Sequence, residues 1–596
     1  MSDPDPVRRV GGEMFAWSDW DPARGPRVPR GNTLFHLLSE LASGSRTVLV
    51  AGPHEDEILT RLAARGAAVS CVVRSLADAE RIAGAYPDVT VYCGSLGKID
   101  QPDGFDLIVA ADGMERLASA EGGQESPDDL LQSLTHLLSS RGVLALMHAN
   151  ICGVQHLVEL EPGRHYRSDT AWYPVTEHDE LRPASVPQLH DRLRAHGLDV
   201  SWDYAVFPTS HLPTVFVAHD IARDVDSPLR GPLGSVLFAA LTEAYADTPV
   251  VRDPRAIMER AVRTGTAASL APAWLTLARR ADATGMAVPH HDLVVGGTDS
   301  FVYEFSVAGS DIRRSVLAPA TGEDQSAGLR RVADPGSALH RAGRLFEDHL
   351  LQLCGRHDLV GLRAALGRYV AWVQEQSSDG AVAGAAALAG TYDLIFTETD
   401  FWPVPSRWAP VEPVPAGVVV ARTLWGFAVR LITFNRPHPW HLTASAAELT
   451  AILAATAGQS LNQGDLDAAI DLEAGQRAAD RDLPPERTAE LRAALAGVRA
   501  DTAGVDIQGY REMADALWRQ EYQLQQMHAL VAWTEKIIRD RDRALSALDQ
   551  EVRLYQGTRT EKVFTFLKMA YRKLRFSAGR LKRKLRRNRR DATEMQ

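Results

Sequence analysis

Between residues 47 and 148, short runs of β-branched and other apolar residues alternate with stretches of helical periodicity. Strands are predicted at 47–51, 68–73, 89–93, 105–110 and 143–148, and helices at 55–65, 76–85 and 128–139. Strands rich in Val and Leu, separated by single helices, imply a mostly parallel sheet covered on both faces. Two further strands, 199–207 and 214–218, are separated by Pro208 and Pro213 and suit a closing hairpin at the sheet edge. Residues 221–290 are rich in Ala, Arg and Leu at helical spacing and read as a linker bundle. The pattern turns strand-like over 294–317 and strongly helical over 338–373. A Trp- and Pro-rich stretch, 401–415, then precedes further helices to about residue 500.

The last hundred residues differ in period. Alternating steps of four and three from Met513 pass through Leu517, Leu524, Met527, Val531, Ile538, Leu545, Leu548, Val552 and Tyr555, with Gln520, Thr534 and Arg541 as polar interruptions. Sustained heptads of this kind predict a coiled coil over 511–556, and with it self-association. Gly557 breaks that helix. The segment after it interleaves Val563, Phe564, Leu567, Ala570, Tyr571 and Leu574 with positive charge, the pattern of an interfacial helix.

Composition narrows the class. At 596 residues, 45% hydrophobic and 24% charged, the chain is too long for one core and is expected to be globular and multi-domain. Residues 1–30, rich in Pro, Asp and Arg, lack the apolar core of a signal peptide and are expected to be disordered; no window approaches the roughly 18 uninterrupted apolar residues of a spanning helix. A cytoplasmic protein is implied. The four cysteines contain no Cys-x-x-Cys pair, so neither a disulfide framework nor a zinc cluster is expected. The formal charge of −11 conceals a segregation: thirteen Lys or Arg and no acid lie between Lys562 and Arg590, which leaves −24 on the rest. The basic end therefore suits an anionic membrane surface at the inner face of the cell membrane. Nucleic acid is disfavoured because the apolar residues precede the most basic run.

The succession of elements from Thr47 resembles the class I S-adenosylmethionine-dependent methyltransferase fold. The resemblance is carried by Phe105-Asp106-Leu107-Ile108-Val109-Ala110-Ala111-Asp112 at the fourth strand and by Ser140-Arg141-Gly142-Val143-Leu144 entering the fifth. Asn150-Ile151-Cys152-Gly153, and Phe207-Pro208 with Leu212-Pro213, are similar to methyltransferases of bacterial surface-polysaccharide clusters. This implies a Rossmann-like α/β sheet with S-adenosylmethionine as cofactor, contacted by Gly52, Gly94, Ser95 and Asp112, and with His148 as general base. The sequence departs from the family ladder, however. The first loop reads Val50-Ala51-Gly52-Pro53-His54-Glu55-Asp56 with one glycine of three, Val73 and Arg74 stand where an acid should end the second strand, and Ser95 replaces the acid after the third. A weakened or lost cofactor site follows. The spacing of His54, Glu55, Asp56 and Glu57 puts no ligand set on one face, so no metal site is expected.

Residues 270–430 resemble the kinase-like module that follows the methyltransferase in bifunctional polysaccharide chain-terminating proteins. Ala271-Pro272-Ala273-Trp274-Leu275 resembles its linker and Gly343-Arg344-Leu345-Phe346-Glu347-Asp348 a helix start. Tyr392-Asp393-Leu394-Ile395 resembles the catalytic loop, and Trp408 through Pro413-Val414-Pro415 to Arg422 a later conserved stretch. Phosphoryl transfer needs a lysine on the phosphates and an Asn and Asp on magnesium. No lysine occurs between Lys98 and Lys536, and the metal positions read Glu398 and Pro405, so a pseudokinase is implied.

The expected organisation is thus α/β followed by α+β and a coiled coil. It comprises a disordered 1–30, a methyltransferase-like domain 31–220, a helical linker 221–290, a degenerate kinase-like domain 291–500, a coiled coil 511–556 and a basic tail 557–596. The function implied is an oligomeric, membrane-associated scaffold in surface-polysaccharide assembly, with glycan or glycosyltransferases as further partners. The alternative is an active O-methyltransferase acting on a lipid-linked or nascent glycan.

Overall fold

The computed structural model describes residues 6–15, 17–20, 28–123, 125–159, 180–283, 288–297, 300–320, 325–397, 399–500, 507–556 and 559–591. Residues up to 514 make one compact unit and residues from 515 a second.

The first unit is organised around one thirteen-stranded sheet. Its strands are β1 (Val7–Gly11), β2 (Thr47–Ala51), β3 (Ala68–Val73), β4 (Thr90–Gly94), β5 (Phe105–Ala110), β6 (Leu138–Ala149), β7 (Leu198–Phe207), β8 (Val215–Ala218), β9 (Ala273–Arg280), β10 (Leu293–Val295), β11 (Val302–Ala308) and β12 (Asp311–Ala318), with Ala338–Arg341 at the far edge. They lie side by side in the order β1-β4-β3-β2-β5-β6-β9-β7-β8-β10-β11-β12, followed by that edge strand. Pairing is parallel from β1 to β6. β9 runs antiparallel to both neighbours, so β7 again points with β6. Counted from β2, the seven strands read 3-2-1-4-5-7-6, and the order reverses between β2 and β5.

The alternation of side chains explains why this sheet is covered twice. Val48 and Val50 of β2 enter one core with Leu107 and Val109 of β5, whereas Leu49 and Ala51 enter another with Ile108 and Ala110. Successive residues of a strand point to opposite faces, so an unbroken Val/Leu/Ile run can only be buried between two layers. Helices supply them. Helix α1 (Asn32–Leu41) packs into the first core; α2 (Glu57–Ala63) and α3 (Leu76–Ala85) contribute Ile58, Leu59, Leu62, Ala79 and Ile82 to it. Helix α4 (Pro127–Leu137) covers the other face with Leu130, Leu131 and Leu134. It starts where the sequence signals it, at a Ser126/Asp129 capping box with Pro127 in the first turn.

Three sequence expectations change. The described residues among the first thirty, 6–15, 17–20 and 28–30, are not a disordered leader, because β1 pairs with β4 and Met14, Ser18 and Asp19 bond to the body. The linker 221–290 contains a strand: β9 enters the sheet between β6 and β7, and the 199–207/214–218 hairpin therefore lies inside the sheet, not at its edge. Finally, β10 pairs with β8, so the sheet continues through residue 291 without a boundary there. The physical reason is common to all three. An edge strand left open recruits another, and that pairing overrides the helical propensity of Ala, Leu and Arg in β9.

His291 shows how tightly the region is joined. Its ring bridges Glu40 of α1 at 2.8 Å and Glu304 of β11 at 3.2 Å. Burial alone would lower the His291 pKa, but the hydrogen bonds to Glu304 and Glu40 outweigh it and raise the value to about 9. The folded state therefore holds this proton more tightly than the unfolded chain does. The stabilisation is complete below the ordinary value of 6.5 and is lost as pH rises towards 9, a contribution of about 1–2 kcal/mol once solvent screening at the partly exposed Glu40 is allowed for. The unfolding free energy from denaturant titration should fall between pH 6 and pH 9 by that amount, and His291→Gln should flatten the profile.

The remainder of the first unit, to residue 500, is mostly helical. Helix Ala416–Thr433 is long and apolar enough to cross a membrane, but 67% of it is buried among Phe346, Tyr369, Leu449 and Leu453, as a core helix is. In the second unit, helices Ile507–Gln556 and Arg559–Asp591 carry exposed apolar side chains, among them Leu524, Val531, Ile538, Leu545, Phe564 and Leu567.

Candidate functional site

In open α/β sheets the ligand crevice lies beyond the carboxyl ends of the parallel strands, at the point where strand order reverses. Here that point falls at Gly52 after β2, Arg74 after β3, Gly94 ending β4 and Asp112 after β5. The structure fills it with Met14 and residues 17–20.

Arg74 is 1% exposed and holds the Asp19 carboxylate in a fork, Nε to Oδ2 at 2.9 Å and Nη2 to Oδ1 at 2.7 Å, with Asp19 at 3%. Its Nη1 donates to the Ala118 carbonyl. The Trp17 indole N–H donates to the same Asp19 carboxylate at 3.0 Å, and Arg116 donates to the Asp19 carbonyl. Asp78, in the first turn of α3, accepts from the Ser18 hydroxyl at 2.6 Å and from the Asp19 backbone N–H at 2.8 Å. The backbone joins in: Met14 N–H donates to the Arg74 carbonyl, and Leu76 N–H donates to that of Met14. Trp20 stands edge-on to His54, ring centroids 5.6 Å apart, while Arg81 lies over its face at 4.9 Å.

Each residue expected to serve a cofactor has another occupation. The carbonyl of Gly52 accepts from His54 Nδ1 at 2.9 Å, which pins the buried ring inside the first loop and leaves burial to lower its pKa. Gly94, at φ +132°, needs to be glycine because a Cβ would meet the Gly11 carbonyl at 2.4 Å. It therefore admits β1, and not a ligand. Ser95 is buried beside it, its N–H donating to Gly11. Asp112 is clamped by Arg116 at 2.5 and 2.6 Å; burial pushes its pKa up to about 6, against the pull of that guanidinium. His148 is 1% exposed, stacks on Trp274 of β9 and donates from Nε2 to the Pro183 carbonyl at 2.7 Å. Burial lowers its pKa. Nε2–H thus anchors a loop, and the basic lone pair of the neutral ring falls on Nδ1, which is buried and has no hydrogen-bond partner among the described residues.

The test of fit to S-adenosylmethionine is Arg74. A carboxylate there would accept from both ribose hydroxyls, whereas a guanidinium only donates. This one is already saturated by Asp19, with Trp20 against the first loop. The residues present do not fit the cofactor. Asp19, Trp20, Asp78 and Arg116 were not legible as site residues. The one available signal was two tryptophans within four residues of a Pro- and Asp-rich terminus, because rings that large are rarely left in water.

A second concavity, about 530 Å³, lies within the first unit, lined by Phe238, Arg255, Tyr303, Asp393, Arg422 and Arg430. Asp393 is buried, which raises its pKa, and accepts from the Gly390 N–H at 2.9 Å. Tyr392 donates to Glu259 at 2.7 Å and stacks on Phe238. The cations of the cavity are paired within the protein, Arg422 with Glu473, Arg430 with Glu347 and Arg407 with Asp480. Pro405 lines the same cavity, while Glu398 lies outside the described residues.

No protein-family model matches the chain, and no curated protein does. Solved structures similar to it include the CcbJ methyltransferase of Streptomyces caelestis, at 15% identity over 46% of this chain and 99% of that one (TM-score 0.24). An S-adenosylmethionine-dependent methyltransferase of Mesorhizobium loti gives 15% identity over 41% and 95% (0.24). A TehB-like methyltransferase of Corynebacterium glutamicum gives 10% identity over 44% and 92% (0.21). Scores this low leave the class to the sheet itself. Its parallel run from β1 to β6, the reversal of strand order between β2 and β5 and its double helical cover define a Rossmann-like α/β protein.

Proposed function

We propose that this chain is a non-catalytic methyltransferase-fold scaffold, self-associating through residues 511–556, drawn to anionic membrane by residues 557–596, and serving surface-polysaccharide assembly. The observation that carries the loss of catalysis is the buried Asp19–Arg74 pair standing in the crevice. The resemblance of Asn150-Ile151-Cys152-Gly153 and of the Phe207-Pro208 to Leu212-Pro213 stretch supports the polysaccharide setting. In the fold Asn150 ties the end of β6 to the carbonyls of Ser269 and Ala271. Isothermal calorimetry tests the reading: no S-adenosylmethionine binding is expected, and a dissociation constant in the low micromolar range would restore the enzyme. The kinase-like reading belongs to the same proposal in its degenerate form, restricted to the residues that follow the main sheet, and is supported by the internally paired arginines of the cavity. Magnesium-ATP should give no thermal shift.

Association rests on the exposed seam. Leu517, Leu524, Val531, Ile538, Leu545 and Leu548 are each more than half exposed in the single chain, and a strip of that size needs cover. Leu524→Ser with Ile538→Ser should convert an oligomer to a monomer in sedimentation velocity; a monomeric wild type would remove the coiled coil. Helix Arg559–Asp591 presents Val563, Phe564, Leu567 and Leu574 beside Lys568, Arg572, Lys573 and Arg575, which supports interfacial binding. Liposome co-sedimentation should require anionic lipid, weaken with salt and fall on Phe564→Ser with Leu567→Ser. Equal binding to neutral vesicles would remove the membrane claim.

A further inference from the structure

We infer that the crevice beyond β3 and β5 is a peptide-recognition site for an aspartate flanked by aromatic side chains, that Met14 and residues 17–20 supply its resident ligand, and that Arg74 selects it. The inference deepens the non-catalytic reading above by naming what the crevice binds in place of a methyl donor.

Three features distinguish a recognised segment from chain that merely passes by. The contacts use both backbone and side chains of the segment: Met14 is bridged by Arg74 and Leu76, the Trp17 carbonyl accepts from the Ser75 hydroxyl at 2.6 Å, and Asp78 takes both Ser18 and the Asp19 N–H. The centre of the contact is a charged fork, nearly free of solvent on both sides, and the planar guanidinium matches carboxylate geometry as no other side chain does. The rim is aromatic, with Arg74 itself lying 5.6 Å from the Trp17 ring and Arg81 over Trp20. A guanidinium buried this deeply requires a carboxylate whenever the crevice is closed, so the site's specificity is for the acid. Because the segment is tethered to the same chain, its effective concentration is of order millimolar, and a peptide in trans competes only once the tethered one is weakened.

Hydrogen exchange read by mass spectrometry on the full-length protein tests this. In the wild type the amides of Met14 and Asp19 and of Leu76 and Asp78, which donate within the contact, should be protected. Asp19→Ala should speed exchange of both groups by about tenfold or more while β10 to β12 stay protected, and the isosteric Asp19→Asn should give the same change to a lesser degree. A synthetic peptide of residues 13–20, added to the Asp19→Ala protein, should restore protection at Leu76 and Asp78, and the same peptide carrying Asn for the aspartate should not. Free exchange of the Met14 and Asp19 amides in the wild type, unchanged protection in both variants, or equal rescue by the two peptides would each overturn the inference. The two readings fail separately. Loss of protection when S-adenosylmethionine is added to wild type would overturn the non-catalytic reading while supporting occupancy of the crevice by the segment; free exchange without S-adenosylmethionine binding would do the reverse.

Discussion

Arg74→Ala should destabilise the first unit by about 3–5 kcal/mol, among the largest effects available to a single substitution here. The magnitude comes from what is left behind and not from the pair's own strength. Asp19 is 3% exposed, and without Arg74 its carboxylate remains buried beside Asp78, with the Trp17 indole, its own chain neighbour, as the remaining hydrogen-bond donor to its side chain. A buried charge deprived of its partner retains its desolvation cost and loses the attraction that offset it. Removing both members should cost much less, because Asp19→Leu with Arg74→Met replaces two charges by apolar volume. The double-mutant cycle, followed by urea unfolding, should therefore show a coupling of several kcal/mol; independent effects below about 1 kcal/mol would show the pair to be solvated.

Glu347→Ala should have an effect of similar size on the helical half. Glu347, 1% exposed, takes Nε and Nη2 of Arg430 at 3.1 and 2.9 Å, and also accepts from the Thr391 hydroxyl. Arg430 in turn lies over Tyr392 at 4.9 Å and Phe238 at 5.6 Å. One carboxylate thus fixes helix Phe346–Gly355, helix Ala416–Thr433 and the segment between Gly390 and Asp393. Its loss leaves a buried guanidinium without its anion, at a cost of about 3–5 kcal/mol; Glu347→Gln, which keeps the acceptor oxygen but not the charge, should cost about 1–3 kcal/mol. Denaturant midpoints monitored by Trp fluorescence would separate the two variants, and equal effects would assign the stabilisation to shape and not to charge.

The strands and helices around these pairs are what the chain discloses on its own. Strands β2, β3 and β5 and helix α3 lie where the sequence places them, since a doubly buried strand needs apolar residues on both faces over most of its length and that requirement is local. The caps at Ser75 and Ser126 are equally local, a side-chain oxygen meeting the N–H three residues on. Arg74 at the end of β3 and Gly52 in the first loop are likewise placed by the sequence at the strand ends.

What the sequence could not disclose is whatever depends on a partner distant along the chain. β1 is a strand because β4 offers it an edge, and Gly94 is glycine because that strand comes close. β9, composed of residues that favour helices, is extended because the slot between β6 and β7 supplies both ladders of hydrogen bonds. Asp19 and Arg74, 55 residues apart, are each ordinary surface residues by type and become a buried ion pair only when the sheet brings the terminus across its carboxyl ends. Periodicity reports which face of an element is apolar, and so it determined the layers of this fold. It carries no information on which distant charge will meet which, and so the occupant of the crevice was decided by tertiary structure alone.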